Sequence, residues 1–411
     1  MREVPDVLDI DWPEALGPYD PHSLTIQADP FAYFKFMRES APVVKASVPQ
    51  GDLYLVARFA DVQNGLRDFK RFSSAVVKQH KFRFITIMDA PEHTRMRKLV
   101  ASAFTPKAIS VFQENLQATF DKYFLPILAR GGGDICREFS EQMTMGTICA
   151  FLGFPLTDFE RLRELAVKTV FFQGRVARHA PGCDGDEEGF LELIEFLRGK
   201  LEEARRAKNG TIVAAFADQI EQGLISEEDT LHFLVFMFLA GFDTTAILIS
   251  NGFLTLAEQP HLLERLRKNP DDVARFVEEL ARHRSAPQML ARITTEDVEV
   301  AGFRIPANSQ VKLLSGSANR DDAKFPNGDT FDMDRDPTGH LGFGYGVHTC
   351  LGMWLARSEA RIVYTSLANL VSKVEVAKEI PIVPYTGGTF QFTGLSSMHV
   401  RITPLDQSAA A

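Results

Sequence analysis

Apolar side chains recur at three- and four-residue steps in several long stretches of the chain, which places them on one face of an α-helix. In FLELIEFLRGKL this face is formed by Phe190, Ile194, Leu197 and Leu201. The segment AEQPHLLERLRKNPDDVARFVEELARH shows the spacing twice, and we expect two helices broken at Asn269-Pro270, because proline ends the first one. The pattern predicts a largely helical protein.

The alternation of apolar and polar residues that is typical of strands is confined to short runs. These are LYLVARF, VEVAGFRI, QVKLL and MHVRIT, too few for a doubly wound sheet with regular crossovers. Residues 317–346 are rich in Asp, Gly, Asn and Pro and show little periodicity, and so long a loop is usually functional. We expect a mainly α fold with small β-sheets in a single large domain.

The most apolar stretch, LHFLVFMFLAGFDTTAILI, is nineteen residues long and extends from Leu231 to Ile249. Asp243 lies near its middle, and a charge at bilayer depth is costly without a partner. Ser226 and the acidic residues after it supply the N-cap of a soluble helix. We therefore expect a buried central helix and no membrane contact.

Composition and charge narrow the class of protein. The chain has 411 residues, of which 45% are hydrophobic, and no change in composition marks a domain boundary. Its 54 acidic and 45 basic residues give a net charge of -9, which argues against a nucleic-acid partner because phosphate binding requires clustered positive charge. The N-terminal residues lack the pattern of a signal peptide, so a cytoplasmic location is expected.

The four cysteines show no close spacing, which argues against a disulfide framework and a zinc knuckle. They are Cys136, Cys149, Cys183 and Cys350. A lone cysteine is more often buried and inert than reactive. Cys350, however, lies in HLGFGYGVHTCLG, which contains four glycines and fits F-x-x-G-x-x-x-C-x-G at every fixed position.

This glycine-rich loop suits a thiolate ligand of haem iron. Such a ligand needs an exposed sulfur, backbone N–H groups directed at it and no side chains that block the porphyrin. Gly344, Gly346 and Gly352 would meet these needs, because glycine permits positive φ and the close approach of a flat partner. Phe343 would pack beneath the ring.

Together with three further motifs, the loop makes the chain resemble a cytochrome P-450, a haem-thiolate monooxygenase of the soluble bacterial type. These motifs are EELAR, AGFDTT and DAPEHTRMR. The four motifs extend over residues 89–352 in the order found in the family. The resemblance implies the cytochrome P-450 fold and one haem-thiolate monooxygenase domain over residues 1–411, with a frayed tail from about residue 406.

The resemblance implies that Cys350 is the metal ligand of haem b and that the propionates of the haem are bound by basic side chains. Those side chains are His93, Arg97, Arg292 and His348. Taken alone, His93 and Arg97 are four residues apart on one helical face, and both could be solvated. The cofactor contacts are completed by Ala240, Phe343 and Gly352.

Asp243 and Thr244 match the acid and alcohol that deliver protons to bound dioxygen in the family, while Ala240 and Gly241 would leave room for oxygen in a locally widened helical turn. A buried carboxylate costs several kcal/mol unless it is paired or protonated, so such an acid tends to mark function. A threonine inside a helix normally bonds to a carbonyl one turn earlier, and we assign that plain role to Thr245.

Glu279 and Arg282 match the E-x-x-R pair of the family, which implies a buried structural network with Phe331–Asp336. By themselves the two residues lie three apart on a helix and could form a surface ion pair that contributes about 0.2–0.5 kcal/mol.

The substrate pocket would be apolar and would suit a small hydrophobic molecule. By family position its walls would be formed by Phe82, Phe84, Ile85, Ile87, Phe171, Phe172, Leu239, Ala240, Met289, Leu290 and Phe392. Lys78, Lys81 and Arg83 lie nearby and either attract a substrate carboxylate or face solvent.

The resemblance further implies hydroxylation or oxidative dealkylation with O2, driven by electrons from NAD(P)H through a separate ferredoxin and its reductase. The ferredoxin would bind a basic surface formed by Arg95, Lys98, Lys107, Arg357 and Arg361. Two alternatives stay open. A peroxide-driven haem-thiolate peroxygenase would not need AGFDTT, and a non-enzymatic haem-thiolate gas sensor would need an output domain or a distal ligand.

Overall fold

The computed structural model describes residues 4–7, 10–20, 23–48, 51–76, 83–177, 187–207, 211–385 and 392–406. Phe82 and Cys183 lie outside these residues, as do Lys78 and Lys81. Helices dominate the described part of the chain, as the sequence predicts. They are α1 Leu24–Ala28, α2 Phe31–Ser40, α3 Phe59–Arg67, α4 Glu92–Val100, α5 Pro106–Ser110, α6 Gln113–Ala129, α7 Glu141–Leu152, α8 Phe159–Ala177, α9 Glu188–Ala207, α10 Ile212–Glu221, α11 Glu227–Glu258, α12 His261–Lys268, α13 Asp272–His283, α14 Ser315–Ala318 and α15 Met353–Leu370.

The described strands are short. They are β1 Val43–Val48, β2 Gly51–Val56, β3 Phe72–Ser73, β4 Gly132–Asp134, β5 Leu290–Thr294, β6 Val298–Val300, β7 Phe303–Ile305, β8 Gln310–Leu313, β9 Val371–Val376, β10 Val383–Pro384, β11 Leu395–Ser397 and β12 His399–Pro404. The largest sheet has the order β1-β2-β8-β5-β3 and is antiparallel except between β2 and β8. A second sheet has the order β4-β12-β9, and β6-β7 and β10-β11 form hairpins.

Several local predictions are confirmed, and one needs correction. Helix α9 buries its predicted apolar face, and the break between α12 and α13 falls at Asn269-Pro270. The run VEVAGFRI, in contrast, is not one strand but the hairpin of β6 and β7. Ala301 and Gly302 have φ values of 51° and 84°, and two consecutive residues with positive φ reverse the chain tightly.

Helix α11 is the predicted buried central helix. The Asp229 N–H donates to Ser226 Oγ at 3.0 Å, so Ser226 is the predicted N-cap. By length and composition α11 could span a membrane, but 72% of its most apolar stretch is buried inside the protein. The part of α11 before Asp243 packs into one apolar cluster and the part from Leu248 onward into another. Asp243 and Thr244 therefore lie between the two largest parts of the core.

Candidate active site

The loop before α15 needs its glycines to reverse direction in a short space. Gly344 and Gly346 have φ values of 70° and 71°, in the left-handed region that glycine occupies without strain. The Cys350 N–H donates to the Phe343 carbonyl oxygen at 2.8 Å, which closes the loop. An added Cβ at Gly352 would meet no atom within 4 Å, so space is open beside the cysteine.

Cys350 is exposed, whereas Cys136 and Cys149 are buried. Desolvation by the surrounding protein raises the pKa of the Cys350 thiol, while the Gly352 backbone N–H and the guanidiniums of Arg97 and Arg357 act in the opposite direction. Because α15 begins three residues later, the sulfur also lies near the positive end of a helix, which favours a thiolate.

Four basic side chains meet beside this loop: His93, Arg97, Arg292 and His348. The rings of His93 and His348 have centroids 4.1 Å apart, and an Arg97 nitrogen donates to the Thr349 carbonyl oxygen at 2.6 Å. Burial lowers the pKa of Arg292 to about 10. Burial, together with His93, Arg292 and Arg97, lowers the pKa of His348 to about 3. The two histidines are therefore neutral near pH 7, and the positive charge of the cluster belongs to Arg97 and Arg292, which are poorly solvated.

Two polar atoms of this cluster are buried without a hydrogen-bond partner in the described structure, Nε2 of His93 and Nε of Arg292. Asp89 acts on both side chains, but its oxygens accept hydrogen bonds from the Ser73 hydroxyl and the Ser74 N–H. A buried polar group without a partner is costly. The cluster thus fits a ligand that brings carboxylates, and a haem with its two propionates beside an accessible cysteine meets that requirement.

On α11, Thr244 rather than Thr245 makes the bond to the preceding turn, so that assignment is corrected. Thr244 Oγ1 donates to the Ala240 carbonyl oxygen at 2.7 Å. The expected widened turn is not found either, because α11 is α-helical from Glu227 to Glu258. Gly241 faces α7, where an added Cβ would lie 3.1 Å from Cδ1 of Ile148. Its small size therefore serves helix packing.

Asp243 is a half-buried acid that accepts a side-chain hydrogen bond. The Tyr385 hydroxyl donates to its Oδ2 at 2.8 Å. Burial raises the pKa of Asp243 to about 6, although the bond from Tyr385 lowers it. The carboxyl group can therefore exchange a proton near neutral pH, as a proton carrier must.

Glu279 and Arg282 form a fully buried ion pair, with side-chain exposures of 1% and 0%. Two Arg282 nitrogens donate to the two Glu279 oxygens at 2.7 Å each. Arg282 also donates to the carbonyl oxygens of Gly328 and Thr330, and Glu279 accepts from the Asp332 N–H at 2.8 Å. The pair therefore joins α13 to the segment that leads into the cysteine loop.

The neighbouring residue Glu278 makes a second link, which the sequence did not reveal. Its carboxylate accepts two hydrogen bonds from Arg357 of α15, at 2.6 and 2.8 Å. Burial raises the pKa of Glu278, but His340 and Arg357 together lower it to about 2. Arg357 also lies 4.4 Å from the ring centroid of Phe343. Arg357 is therefore paired within the chain, and its contact with a partner protein stays a prediction.

The other predicted partner-binding cations differ in their surroundings. The guanidinium of Arg95 lies 3.6 Å from the Asp229 carboxylate. Lys98, Lys107 and Arg361 are exposed.

The predicted pocket residues belong to several different apolar clusters of the core. Phe84, Ile85 and Leu239 belong to one buried cluster with α11. Met289 packs in a different cluster with α2 and β2, and Leu290 lies against a third. Phe392 is half-buried and lies 6.5 Å from Tyr385 between ring centroids, and Phe171 belongs to α8.

Arg83 is not free to receive a substrate carboxylate. One of its guanidinium nitrogens lies 2.9 Å from Glu92 and 3.0 Å from Asp229. Of the three cations predicted near the pocket, the one that the structure describes is thus already neutralised.

Sequence reasoning missed three residues that contact the site and a fourth that is coupled to it by charge. Tyr385 bonds Asp243, Ser74 Oγ lies 3.0 Å from Nε2 of His348, and Glu278 binds Arg357. The charge of Asp243 raises the pKa of Glu141. Tyr385, Ser74 and Glu141 belong to no motif, whereas Glu278 is the first residue of EELAR. Glu278 alone carried a signal, since it precedes Glu279 on α13 and lies on a different side of the helix.

Comparisons with known proteins agree with this geometry. The family model described as cytochrome P-450 matches residues 165–281 and 273–375. A putative cytochrome P-450, YjiB of Bacillus subtilis, is 33% identical over 361 residues, which cover 86% of this chain and 90% of that protein. A beta-dihydromenaquinone-9 omega-hydroxylase of Mycobacterium tuberculosis is 31% identical over 400 residues, covering 95% and 79%.

Among solved structures, the chain is similar to CYP109E1 from Bacillus megaterium in complex with testosterone. The TM-score is 0.83 and the sequence identity 27%, over 92% of this chain and 99% of that one. A similarity of this extent supports the same overall fold.

Proposed function

The chain belongs to the cytochrome P-450 family and is a haem b monooxygenase, and from this premise we propose that Cys350 is the ligand of the iron. The observation that carries the proposal is the exposed Cys350 sulfur beside a cluster of two arginines and two histidines, in which polar nitrogens of His93 and Arg292 are buried without a partner in the described structure. We also propose that residues 1–411 form one catalytic domain, working as a soluble protein in the cytoplasm.

Different residues would bind the propionates and the ring of the cofactor. Arg97, Arg292, His93 and His348 would bind the propionates, and the orphan nitrogens of His93 and Arg292 supply donors for them. Phe343 would pack beneath the ring, with Ala240 on the opposite side. When bound, the haem supplies the iron at which dioxygen is activated, with a thiolate that donates electron density to it.

The reaction proposed is the insertion of one oxygen atom of O2 into a small apolar molecule, by hydroxylation or oxidative dealkylation. Phe84, Ile85 and Leu239 form an apolar wall next to α11, and we place Phe82, Phe171, Met289, Leu290 and Phe392 around the same substrate. The testosterone complex of CYP109E1 supports an apolar substrate class.

Asp243 and Thr244 are proposed to deliver the protons that the reaction consumes. The support is a half-buried carboxyl near the middle of α11, whose pKa burial raises to about 6 and whose neighbour in sequence carries a hydroxyl. Electrons would come from NAD(P)H through a ferredoxin and its reductase. For the ferredoxin we propose the exposed cations Lys98, Lys107 and Arg361 as the binding surface.

A spectrum of the reduced, CO-bound protein tests the assignment of Cys350. A thiolate opposite CO shifts the Soret band to long wavelength, as in other cytochromes P-450, whereas Cys350→His should bind haem and lose that shift. The matched control is Cys149→Ser, because Cys149 is buried within the core and should leave the spectrum unchanged. An unshifted spectrum in the wild type, or a shifted one in Cys350→His, would refute the assignment.

A further inference from the structure

The side chains of Asp243 and Thr244 are held by different partners. Asp243 Oδ2 accepts from the Tyr385 hydroxyl at 2.8 Å, while Thr244 Oγ1 donates to the Ala240 carbonyl oxygen at 2.7 Å. Consecutive residues of a helix point about 100° apart, and no hydrogen bond joins the two side chains in the described structure. A proton on Asp243 therefore has no direct hydrogen bond along which to pass to Thr244 while the carboxyl stays bound to Tyr385.

The hairpin of β10 and β11 positions Tyr385. Its backbone N–H donates to the Gly394 carbonyl oxygen at 2.9 Å. Gly394 in turn lies directly on α11, since an added Cβ would be 2.5 Å from a side-chain carbon of Ile247. Ile247 is one helical turn after Asp243. The close contact at Gly394 thus sets the distance from which the Tyr385 hydroxyl reaches the carboxyl.

On another side, α7 brings a second acid, Glu141, towards Asp243. Burial raises the pKa of Glu141, and the charge of Asp243 adds to this rise. The Glu141 side chain is 25% exposed and lies 3.7 Å from Arg163 of α8, which is 38% exposed. The other described charges that act on Glu141 are Asp134 and Arg137. Glu141 is therefore a partly exposed acid on the α7 side whose protonation is coupled by charge to that of Asp243.

We propose that Tyr385 is a positioning residue that holds the Asp243 carboxylate away from Thr244 until the carboxyl has taken up a proton from the side of Glu141. A hydrogen bond to a carboxylate is about twice as strong as one to a neutral group, so protonation weakens the hold of Tyr385. The neutral carboxyl then turns towards Thr244, releases its proton and returns as a carboxylate to Tyr385. This inference rests on the proposed proton delivery by Asp243.

An infrared titration of the holoenzyme tests the effect of the Tyr385 hydrogen bond on Asp243 directly and needs no substrate. The carboxyl band that disappears in Asp243→Asn reports the protonation of Asp243. Because the Tyr385 bond lowers the pKa of Asp243, Tyr385→Phe should keep the band to higher pH. The matched control is Tyr364→Phe, whose hydroxyl donates to the Ile249 carbonyl oxygen of the same helix at 2.8 Å, and it should titrate as wild type does. Identical titrations of Tyr385→Phe and wild type would overturn the inference.

Turnover then distinguishes this inference from the proposed function. NADPH oxidation through a surrogate ferredoxin and its reductase is measured against pH for Tyr385→Phe, Asp243→Asn and the double variant. Tyr385→Phe should shift the pH profile of turnover to higher pH. Asp243→Asn should slow turnover about three- to tenfold, a range set by about 0.7–1.4 kcal/mol. In the double variant, adding Tyr385→Phe to Asp243→Asn should change turnover no further. An unshifted Tyr385→Phe profile beside a slow Asp243→Asn overturns this inference alone. Normal turnover of Asp243→Asn overturns the proton delivery by Asp243 as well.

Discussion

Arg282 and Glu279 lie one helical turn apart on α13, and their ion pair is excluded from solvent on every side, with exposures of 0% and 1%. Arg282 further donates to carbonyl oxygens on the segment between Asn319 and Thr330. An added Cβ at Gly342 would lie 2.1 Å from the Ala281 carbonyl oxygen, so the start of the cysteine loop rests on the same helix. The pair thus fixes the position of the loop that carries Cys350.

Removing one partner of this pair should prevent the protein from holding haem. Glu279→Ala or Arg282→Ala leaves a buried charge without a partner, which costs roughly 3–5 kcal/mol. We expect little or no haem-loaded protein on expression, measured as the ratio of Soret to protein absorbance. Arg304→Ala is the control, because its pair with Asp297 is exposed and should be dispensable. Normal haem content in Glu279→Ala would contradict the structural role.

Thiol labelling should single out Cys350 when the haem is removed. Burial raises the pKa of Cys136 and of Cys149 to about 12, so these thiols are protonated and enclosed, whereas Cys350 is exposed. In a Cys183→Ser background, one thiol should react quickly with an aromatic disulfide in haem-free protein and none in the holoenzyme. Cys350→Ser should lose the fast reaction and Cys136→Ser should keep it. Fast labelling of the holoenzyme would argue against ligation by Cys350.

The sequence predicts those features of the fold and site that depend on residues close together in the chain. The helical faces of α9 and α11, the break before α13 and the cysteine loop follow from residues close in sequence, because periodicity, capping and turn chemistry act over a few positions. Arg357 was assigned to the surface because its partner Glu278 is 79 residues away. Tyr385 reaches Asp243 across 142 residues through a hairpin that has no motif. Such pairings are set by packing.

The stability of the protein should fall as the pH rises through the titration of Asp243. Burial raises its pKa from 3.8 to about 6, so between these values the folded state binds more protons than the unfolded state, and stability is lost with increasing pH. The loss is about 3 kcal/mol at most, since one pKa unit corresponds to about 1.36 kcal/mol. Asp243→Asn removes this term and can still accept from Tyr385.

Urea unfolding of wild type and Asp243→Asn at several pH values between about 4 and 7 checks this sign. The difference in stability should move in favour of Asp243→Asn with increasing pH. Glu114→Gln, an exposed substitution on α6, should follow the wild type throughout. Parallel curves for wild type and Asp243→Asn would show that the carboxyl titrates as an ordinary acid.

Reversing the exposed cations should weaken the electron supply in a salt-dependent way. Lys98→Glu, Lys107→Glu and Arg361→Glu change the charge of exposed side chains, and charge complementarity governs association rates at low ionic strength. The rate of reduction by a ferredoxin should fall at low salt and approach that of the wild type at high salt. Lys268→Glu is the control, because Lys268 is an exposed cation on α12 that pairs with Glu264. Equal rates in all variants would place the ferredoxin elsewhere.

Thr244 should control how efficiently reducing equivalents yield product. Its hydroxyl lies next to Asp243 and donates to the Ala240 carbonyl oxygen at 2.7 Å. Thr244→Ala should still bind haem, substrate and dioxygen, because none of these steps uses the hydroxyl. Loss of one hydrogen bond of about 1.4 kcal/mol in proton delivery should lower product per NAD(P)H about tenfold, while hydrogen peroxide rises and NAD(P)H consumption continues.

Two matched variants separate this role from helix stability. Thr255→Ala removes the same kind of bond, from Thr255 Oγ1 to the Asn251 carbonyl oxygen at 2.8 Å, three turns further along α11. Thr245→Ala changes a buried threonine that points about 100° away from Thr244. Both should stay coupled, since neither hydroxyl lies on the proposed path of the proton. If Thr244→Ala also kept product per NAD(P)H at the wild-type ratio, the proton would have to reach the oxygen through a different donor.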